Sequence, residues 1–542
     1  MPTVKLNKAI FEKLVGKKLS DEKLKDRISM LGTDLEEVTN KEIDVEIFPN
    51  RPDMLSEQGF ARAFSSFIGV KTGLRKYKIN KSNYVINVHS SVKNIRPFTA
   101  CAVIKNLKLD DEKIRELIQI QEKLHTTLLR NRKKGAIGIY PMEAIKFPID
   151  YLALDPKKFK FQPLEFPGEL NGLQILQIHA TGKEYAHLLE GKKQFPIFRD
   201  ANDEILSMPP IINSHKTGKV SEKTKDIFIE VSGFDLKTQQ ACLNIIVTAL
   251  ADMGGAIYET KVKYTKLIIT PNLEPTKWNL DIPYINKRLG LNLKEKEIKT
   301  LLEKMGFGYE KGTVLVPAYR ADIMHQVDFL EDIAIAYGYE NFEVEIPNVA
   351  TIGKEDEFEI FKSKVSEILT GIQLLECDTY NLTNEYLQTE KMNTKLNCIK
   401  LANSVSQDYS VLRAWVIPNM LQVLEENRQY DYPQNLFTIG RVFKKGKTDT
   451  GVVENDRLSV VLCDSNANFT KIKQVLDYLM RMLNIEYKVK TTKHTSFIEG
   501  RVARVTVKNK EVAYIGEINP KVLNNFGLEF PVAALELNLS EL

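Results

Sequence analysis

Tyr319-Arg320-Ala321-Asp322-Ile323-Met324-His325-Gln326-Val327-Asp328-Phe329-Leu330-Glu331-Asp332-Ile333-Ala334-Ile335-Ala336-Tyr337-Gly338-Tyr339 reads as a loop that runs into one helix. Asp322 stands where an N-cap is expected, so its carboxylate would accept a free backbone N–H of the first turn. Val327, Leu330, Ala334 and Tyr337 recur at helical spacing and predict the buried face. Gly338 is the expected stop. Asp328, Glu331 and Asp332 stand at i, i+3 and i+4 and share one face of that helix. Three carboxylates on one face repel unless a cation sits among them, and oxygen-only donors suit Mg²⁺ or Ca²⁺. Asp322 cannot join that face on a continuous helix and would have to reach in from the loop. A solvated acidic face accounts for the same spacing without an ion.

The stretch is one half of an internal repeat. Leu6, Phe11, Val15, Gly16, Leu19, Leu24, Ile28, Leu31 and Gly32 match Leu280, Ile285, Leu289, Gly290, Leu293, Ile298, Leu302, Met305 and Gly306 at constant offset. After a small change in loop length, Arg51, Asp53, Phe60, Phe64 and Gly69 match Arg320, Asp322, Phe329, Ile333 and Gly338. One small helix-rich α+β unit therefore occurs twice. Gly59, Arg62 and Ala63 of the first copy stand where the second has Asp328, Glu331 and Asp332. A cap explains the shared Asp; the extra carboxylates are not required by the repeat.

The chain has 542 residues, enough for about three to four domains. Its net charge of +5 is spread along the chain, which permits nucleic-acid contact without demanding it. No run of 18 apolar residues occurs, so no membrane span is expected. Met1-Pro2-Thr3-Val4-Lys5 opens the chain without an apolar signal region. The five cysteines are far apart, and neither CxxC nor HExxH occurs, so zinc is not expected. Scattered free cysteines fit a reducing, cytoplasmic setting.

Between the two copies the texture changes. Tyr84–Val88, Thr99–Ile104, Gln174–His179 and Ile227–Val231 read as short strands, and Asp110–Arg130 as one long amphipathic helix. Arg130, Arg132, Lys133 and Lys134 crowd the end of that helix. They read either as favourable charge against the helix dipole or as phosphate contacts. His125 just upstream is more often structural than catalytic. Pro209-Pro210 forces an extended, irregular backbone before Asn213 and Ser214. In Ile227-Phe228-Ile229-Glu230-Val231-Ser232, alternation puts Glu230 and Ser232 on one face. That face is either an exposed sheet surface or the lining of a small polar pocket. Pro347 and Gly353 mark a linker. Beyond it the pattern is α/β, with helices at 357–370, 412–426 and 469–483 and strands at 436–443, 457–463, 502–507, 511–516 and 531–537. It has neither GxxxxGK[ST] nor GxGxxG.

The chain resembles the β subunits of phenylalanine–tRNA ligase of the archaeal and eukaryotic cytosolic type. The resemblance rests on Pro49-Asn50-Arg51-Pro52-Asp53-Met54-Leu55-Ser56, on Leu206-Ser207-Met208-Pro209-Pro210-Ile211-Ile212-Asn213-Ser214, and on Tyr319-Arg320-Ala321-Asp322-Ile323 with Glu331-Asp332-Ile333 and Tyr337-Gly338-Tyr339. Gly516-Glu517-Ile518-Asn519-Pro520 and Asn525-Phe526-Gly527-Leu528 complete it. It implies a multidomain α+β chain: repeat unit 1–85 (B1-like), a β-rich B3/B4-type tRNA-editing domain 86–265, and repeat unit 268–345 (B5-like). A class II synthetase-like antiparallel-sheet core without catalytic motifs, 355–542, follows. It also implies an α subunit as partner in an α2β2 heterotetramer. That α subunit would carry the ATP-dependent attachment of phenylalanine to tRNA(Phe), with no aminoacylation residue in this chain. Mg²⁺ would be shared with the α subunit and held here by Asp322, Asp328, Glu331 and Asp332. Mischarged Tyr-tRNA(Phe) would be hydrolysed in a pocket lined by Leu206, Asn213, Ser214, Glu230 and Ser232. The family more usually shows Asp and Thr at the last two positions. Two other readings stay open: a non-editing scaffold subunit, and a stand-alone nucleic-acid-binding protein.

Overall fold

In the first repeat, Thr3–Asn7, Asp34–Val38 and Glu42–Glu46 form an antiparallel sheet with Glu42–Glu46 in the middle. In the second, Thr276–Asn279, Gly308–Glu310 and Thr313–Val316 do the same with Thr313–Val316 in the middle. Two helices follow the first strand in each copy, Lys8–Val15 and Asp21–Met30 or Ile282–Leu289 and Glu295–Lys304. A third helix, Glu57–Phe67 or Asp328–Tyr337, closes the unit. These coordinates are a computed structural model describing residues 2–346, 348 and 353–542. They divide into two compact units, 1–346 and 347–542. Of the two linker markers, Pro347 lies outside the described residues and Gly353 stands in irregular chain.

The repeated Asp is not a cap. Ser56 caps the first closing helix, accepting from the Gly59 N–H, and the second begins after Val327 with no side-chain cap. Each Asp instead accepts a two-pronged bond from the Arg two residues before it. Arg51 Nε and Nη2 donate to Asp53 at 2.8 and 2.9 Å; Arg320 Nε and Nη2 donate to Asp322 at 2.8 and 2.6 Å. Arg51, Asp53 and Arg320 border one small cavity, so the two copies meet through their matching Arg-x-Asp pairs. Burial opposes ionisation there, but Arg51 and Arg320 together hold the Asp53 carboxyl below its ordinary value. Arg62 adds a third segment: its guanidinium reaches Tyr77 and Asp252 at 2.8 and 2.7 Å and lies 4.0 Å from the Tyr319 ring centre. The apolar face of Asp328–Tyr337 also differs from its expected periodicity. Phe329, Ile333 and Ala336 are buried, whereas Val327 is exposed because the helix begins after it.

Between the repeats, two sheets stack. One runs Ile79–Asn80, Ala256–Tyr258, Phe98–Lys105, Ile227–Gly233, Gly135–Pro141. The other runs Ile212–Asn213, Ile205–Met208, Phe195–Arg199, Ile149–Leu154, Val85–Val88, Thr260–Lys263, Leu267–Thr270. Alternation along Ile227–Gly233 sorts its residues. Ile227, Ile229 and Val231 pack with the helix Leu236–Asp252, and Phe228 packs inward with Tyr140, Tyr151 and Phe198. Glu230 and Ser232 share the Phe228 face and are buried, so that face is not an exposed sheet surface. Residues 174–179, expected as a strand, lie mainly in the helix Gly172–Ile178, which opens with a capping box between Asn171 and Gln174.

Where the first repeat meets the helix Asp111–Thr126, two buried carboxyls face each other's chain. Glu57 accepts from the Asn7 N–H at 2.7 Å, and Glu116 accepts from the Glu57 N–H at 2.6 Å. Burial, then repulsion from Glu116, pushes Glu57 up to about 7. A carboxyl raised in the folded state binds its proton more tightly there. Its contribution is therefore full below its ordinary value and is lost as pH rises through 7. Glu57→Gln keeps the acceptor for Asn7 and removes that loss. Urea unfolding of the variant should show a flatter stability profile between about pH 4.5 and 7, and a gain of roughly 2 kcal/mol at pH 8.

The second unit is built on one sheet in the order Leu375–Glu376, Gln434–Lys445, Val452–Cys463, Val532–Asn538, Lys510–Ile518, Phe497–Val507, Lys488–Thr491. Every neighbouring pair is antiparallel except the first. Leu458, Val460 and Leu462 pack with the helices Glu357–Gly371 and Phe469–Met482; Val461 and Cys463 point the other way, towards Ile417–Glu426. The helix expected from 412 starts at Ile417, because Val411–Leu412 is a short strand.

Candidate functional site

A cavity of about 570 Å³ lies in the first unit where the strands Gly135–Pro141, Ile205–Met208 and Ile212–Asn213 meet the helix Asp111–Thr126. Ile114, Leu117, Ile137 and Ile139 give it apolar wall; Glu122, His125, Asn213, His215 and Glu230 give it polar groups. Mostly apolar lining with a few converging polar atoms suits a small organic group.

Glu230 is the least solvated of these groups, at 1% exposure. Its Oε1 takes a hydrogen bond from Tyr140 Oη at 3.3 Å, and its Oε2 is buried without a partner. Burial, opposed only in part by Arg96, Ser232 and Tyr140, pushes its carboxyl up to about 8. Ser232 is turned away from the cavity wall. It accepts from Arg96 Nε at 3.1 Å, while its carbonyl takes Arg96 Nη2 at 2.7 Å. Asn213 and Glu230 are the two expected pocket residues that line this cavity. Leu206 belongs to the core between the two sheets, and Ser214 is buried with its N–H bonded to the Leu206 carbonyl at 2.8 Å. Leu206, Ser214 and Ser232 thus support the wall from behind.

Ser207, Tyr140 and His215 are polar groups at the site that the reading of residues did not single out. Strand alternation alone could have flagged Tyr140, since it stands on Gly135–Pro141 two residues beyond Gly138, the partner of Glu230.

His125 is a strut. Its Nε2 accepts the Ile137 N–H at 2.9 Å, tying the helix end to the edge strand, and burial keeps the ring neutral. Past it, Arg130, Asn131 and Arg132 all take left-handed backbone angles, with φ of 49°, 51° and 62°. Such angles cost roughly 1–2 kcal/mol at a residue with a side chain other than Asn. The turn they make sends Arg132 back over the Tyr185 ring to donate to the carbonyls of Pro210 and Ile211 at 3.2 and 2.8 Å. Arg132 therefore clamps the double-proline loop onto the cavity rim. Arg130, Lys133 and Lys134 remain exposed.

The acidic helix is arranged differently from its expected role. Asp332 is buried and accepts Arg320 Nη2 at 2.7 Å, beside the bond to Asp322. Asp328 turns back to the Met324 and His325 N–H groups at 2.7 and 2.8 Å. Glu331 is exposed and accepts from Tyr339 Oη at 2.7 Å. Arg320 thus neutralises two of the four carboxylates. Among the described residues no three His, Cys, Asp or Glu groups are placed to hold an ion. As arranged here, Asp322, Asp328, Glu331 and Asp332 do not fit a single Mg²⁺.

Three family models match the chain: Phe-tRNA synthetase beta subunit B1 domain over residues 1–70, tRNA synthetase B5 domain over 278–339, and phenylalanyl tRNA synthetase beta chain CLM domain over 343–539. The phenylalanine–tRNA ligase beta subunit of Pyrococcus abyssi is 41% identical over the full length of both chains. The phenylalanine–tRNA ligase beta subunit of Archaeoglobus fulgidus is 39% identical over 100% of this chain and 98% of its own. A crystal structure of an N-terminal fragment of the phenylalanyl-tRNA synthetase beta-subunit from Pyrococcus horikoshii is similar at 39% identity and a TM-score of 0.59. It covers 62% of this chain and 99% of that one. Among the described residues no helix is long and apolar enough to cross a membrane.

Proposed function

The chain belongs to the phenylalanine–tRNA ligase β-subunit family, and from that premise we propose that its 570 Å³ cavity hydrolyses tyrosine wrongly esterified to tRNA(Phe). The observation that carries the reading is Glu230, a buried carboxyl on the cavity wall with one oxygen unpaired. A phenylalanine pocket rejects tyrosine weakly, because tyrosine only adds a hydroxyl. A second site with a buried acceptor selects that hydroxyl well, since phenylalanine would leave the acceptor unpaired. The ester is already activated, so the site needs to hold the residue, orient a water and steady the developing oxyanion. In this reading Glu230 accepts the tyrosine hydroxyl, and Asn213 with His215 faces the ester and its water.

The synthetic reaction, with ATP, belongs to an α subunit in an α2β2 assembly. Exposed Leu375, Tyr380, Tyr386, Val405 and Tyr409 on the second unit support a covering partner. A magnesium ion shared with that partner would need the carboxylates of Asp322, Asp328, Glu331 and Asp332 rearranged, since Arg320 holds Asp322 and Asp332 and the Met324 and His325 N–H groups hold Asp328. The test supplies the assembled complex with tRNA(Phe), ATP and tyrosine. ATP consumption should run well ahead of Tyr-tRNA accumulation. Equal yields of the two would overturn the reading.

Arg130, Lys133 and Lys134 are exposed cations flanking Arg132, which lines the cavity, and would meet the tRNA backbone. Lys133→Ala and Lys134→Ala should each lower the salt slope of tRNA binding by about 1. Arg132→Ala should leave that slope unchanged and slow hydrolysis, because Arg132 holds the loop. Filter binding between about 50 and 200 mM salt separates the two roles.

A further inference from the structure

We propose that Tyr140 and Ser207 form a reversible hydrogen-bond relay that keeps Glu230 Oε2 an acceptor whether or not Glu230 carries a proton, with Gly138 as the residue that makes room for it. The proposal rests on the editing reading of the cavity and deepens it: Tyr140 is a positioning residue for tyrosine selection.

The geometry starts at the strand pair. Gly138 stands opposite Glu230 in the antiparallel register, and Tyr140 lies two residues along on the same face. A Cβ on residue 138 would fall 2.2 Å from Tyr140 Oη and 2.5 Å from Glu230 Oε1. Only glycine lets the two groups meet. Tyr140 Oη is then 2.7 Å from Ser207 Oγ and 3.3 Å from Glu230 Oε1, so it bridges the two sheets. Its ring is held by Phe228, with centroids 5.9 Å apart.

A phenol has one proton to give and can accept another. With Glu230 protonated, the carboxyl O–H donates from Oε1 to Tyr140 Oη, and Tyr140 donates to Ser207. With Glu230 ionised, Tyr140 donates to Oε1 and Ser207 donates to Tyr140. In both states the proton traffic stays on Oε1, and Oε2, which is buried at the cavity wall without a partner, stays an acceptor. The substrate hydroxyl is a donor to it in each case. This matters because burial pushes the Glu230 carboxyl up to about 8, so both protonation states occur between pH 6 and 9. Arg96, Cys101, Tyr140 and Tyr151 are the titratable or charged groups packed around it. Glu122, His125, Arg132, Glu165, His215 and Lys219 stand on the rest of the cavity wall. Cys101, Tyr140 and Tyr151 are raised by burial and stay neutral, so none of them replaces the relay.

The experiment measures hydrolysis of preformed Tyr-tRNA(Phe) and Phe-tRNA(Phe) by the assembled complex from pH 6 to 9, after subtraction of the spontaneous rates. In the wild type the ratio of the two rates should stay flat. In Tyr140→Phe the Glu230 proton is free to sit on Oε2, which then becomes a donor, so the ratio should fall roughly tenfold at pH 6 and recover at pH 9. Ser207→Ala removes the far acceptor, turns the Tyr140 proton onto Oε1, and should give the same pH signature. A flat ratio in both variants, with wild-type hydrolysis intact, overturns the relay and leaves the editing reading standing. A wild-type complex that cleaves neither ester overturns the editing reading itself, and the relay with it.

Discussion

Arg320→Ala should destabilise the first unit by about 3–5 kcal/mol, the cost of breaking a buried ion pair from one side. Arg320 is 8% exposed and donates to Asp322 through Nε and Nη2 and to Asp332 through Nη2, with its guanidinium 4.7 Å from the Phe307 ring centre. Its removal leaves Asp332 buried at 4% exposure without its cation, and deprives Asp53 of one of the three charges, Arg51, Arg320 and Arg62, that hold it ionised. Arg320→Lys keeps the charge but loses the planar two-pronged fit, and should fall between. Trp278 packs edge-on against Phe329 beside this cluster, at 6.4 Å between ring centres. In a Trp415→Phe background it reports the first unit alone, and its urea midpoint should drop sharply for Arg320→Ala. An unchanged midpoint would mean that the Arg-x-Asp pairs are ornaments on an already stable interface.

Glu230→Ala should slow hydrolysis of Tyr-tRNA(Phe) roughly 10- to 150-fold in kcat/KM, the worth of about 1.5–3 kcal/mol for a hydrogen bond to an ionisable group. Under the proposed division of labour between the subunits, phenylalanine charging should stay near wild type. Glu230→Gln keeps an acceptor oxygen and should lose less. The loss should appear in the Tyr ester and leave the slow cleavage of the Phe ester almost untouched. Equal loss on both esters would mean that Glu230 acts on the ester or its water, and the specificity argument would have to move elsewhere on the wall.

The repeat was legible because side chains at fixed offsets need no third dimension to be compared. The role of its shared Asp was not. An Asp ahead of an apolar helix looks like a cap, and the true partner, Arg320, stands two residues earlier, where sequence offers no reason to choose it. The same event hides behind the acidic helix: spacing put Asp328, Glu331 and Asp332 together, but Arg320 pulls Asp332 inward and leaves Glu331 out. For Glu230 and Ser232 alternation predicted a shared face correctly; whether water or a second sheet covers that face is a tertiary fact. Ser207 and Tyr140 come from strands 67 residues apart and become neighbours only when the sheets stack. The helix Gly172–Ile178 did carry a signal, since Asn171 and Gln174 make a capping box, but its apolar residues also suit a strand.

The most direct measurement is a single-turnover comparison of the wild-type complex on preformed Tyr-tRNA(Phe) and Phe-tRNA(Phe) at neutral pH. Selection by a buried acceptor predicts cleavage of the tyrosyl ester at least about a hundredfold faster than the phenylalanyl ester. Cleavage of both at the spontaneous rate would contradict it and leave the chain a structural subunit.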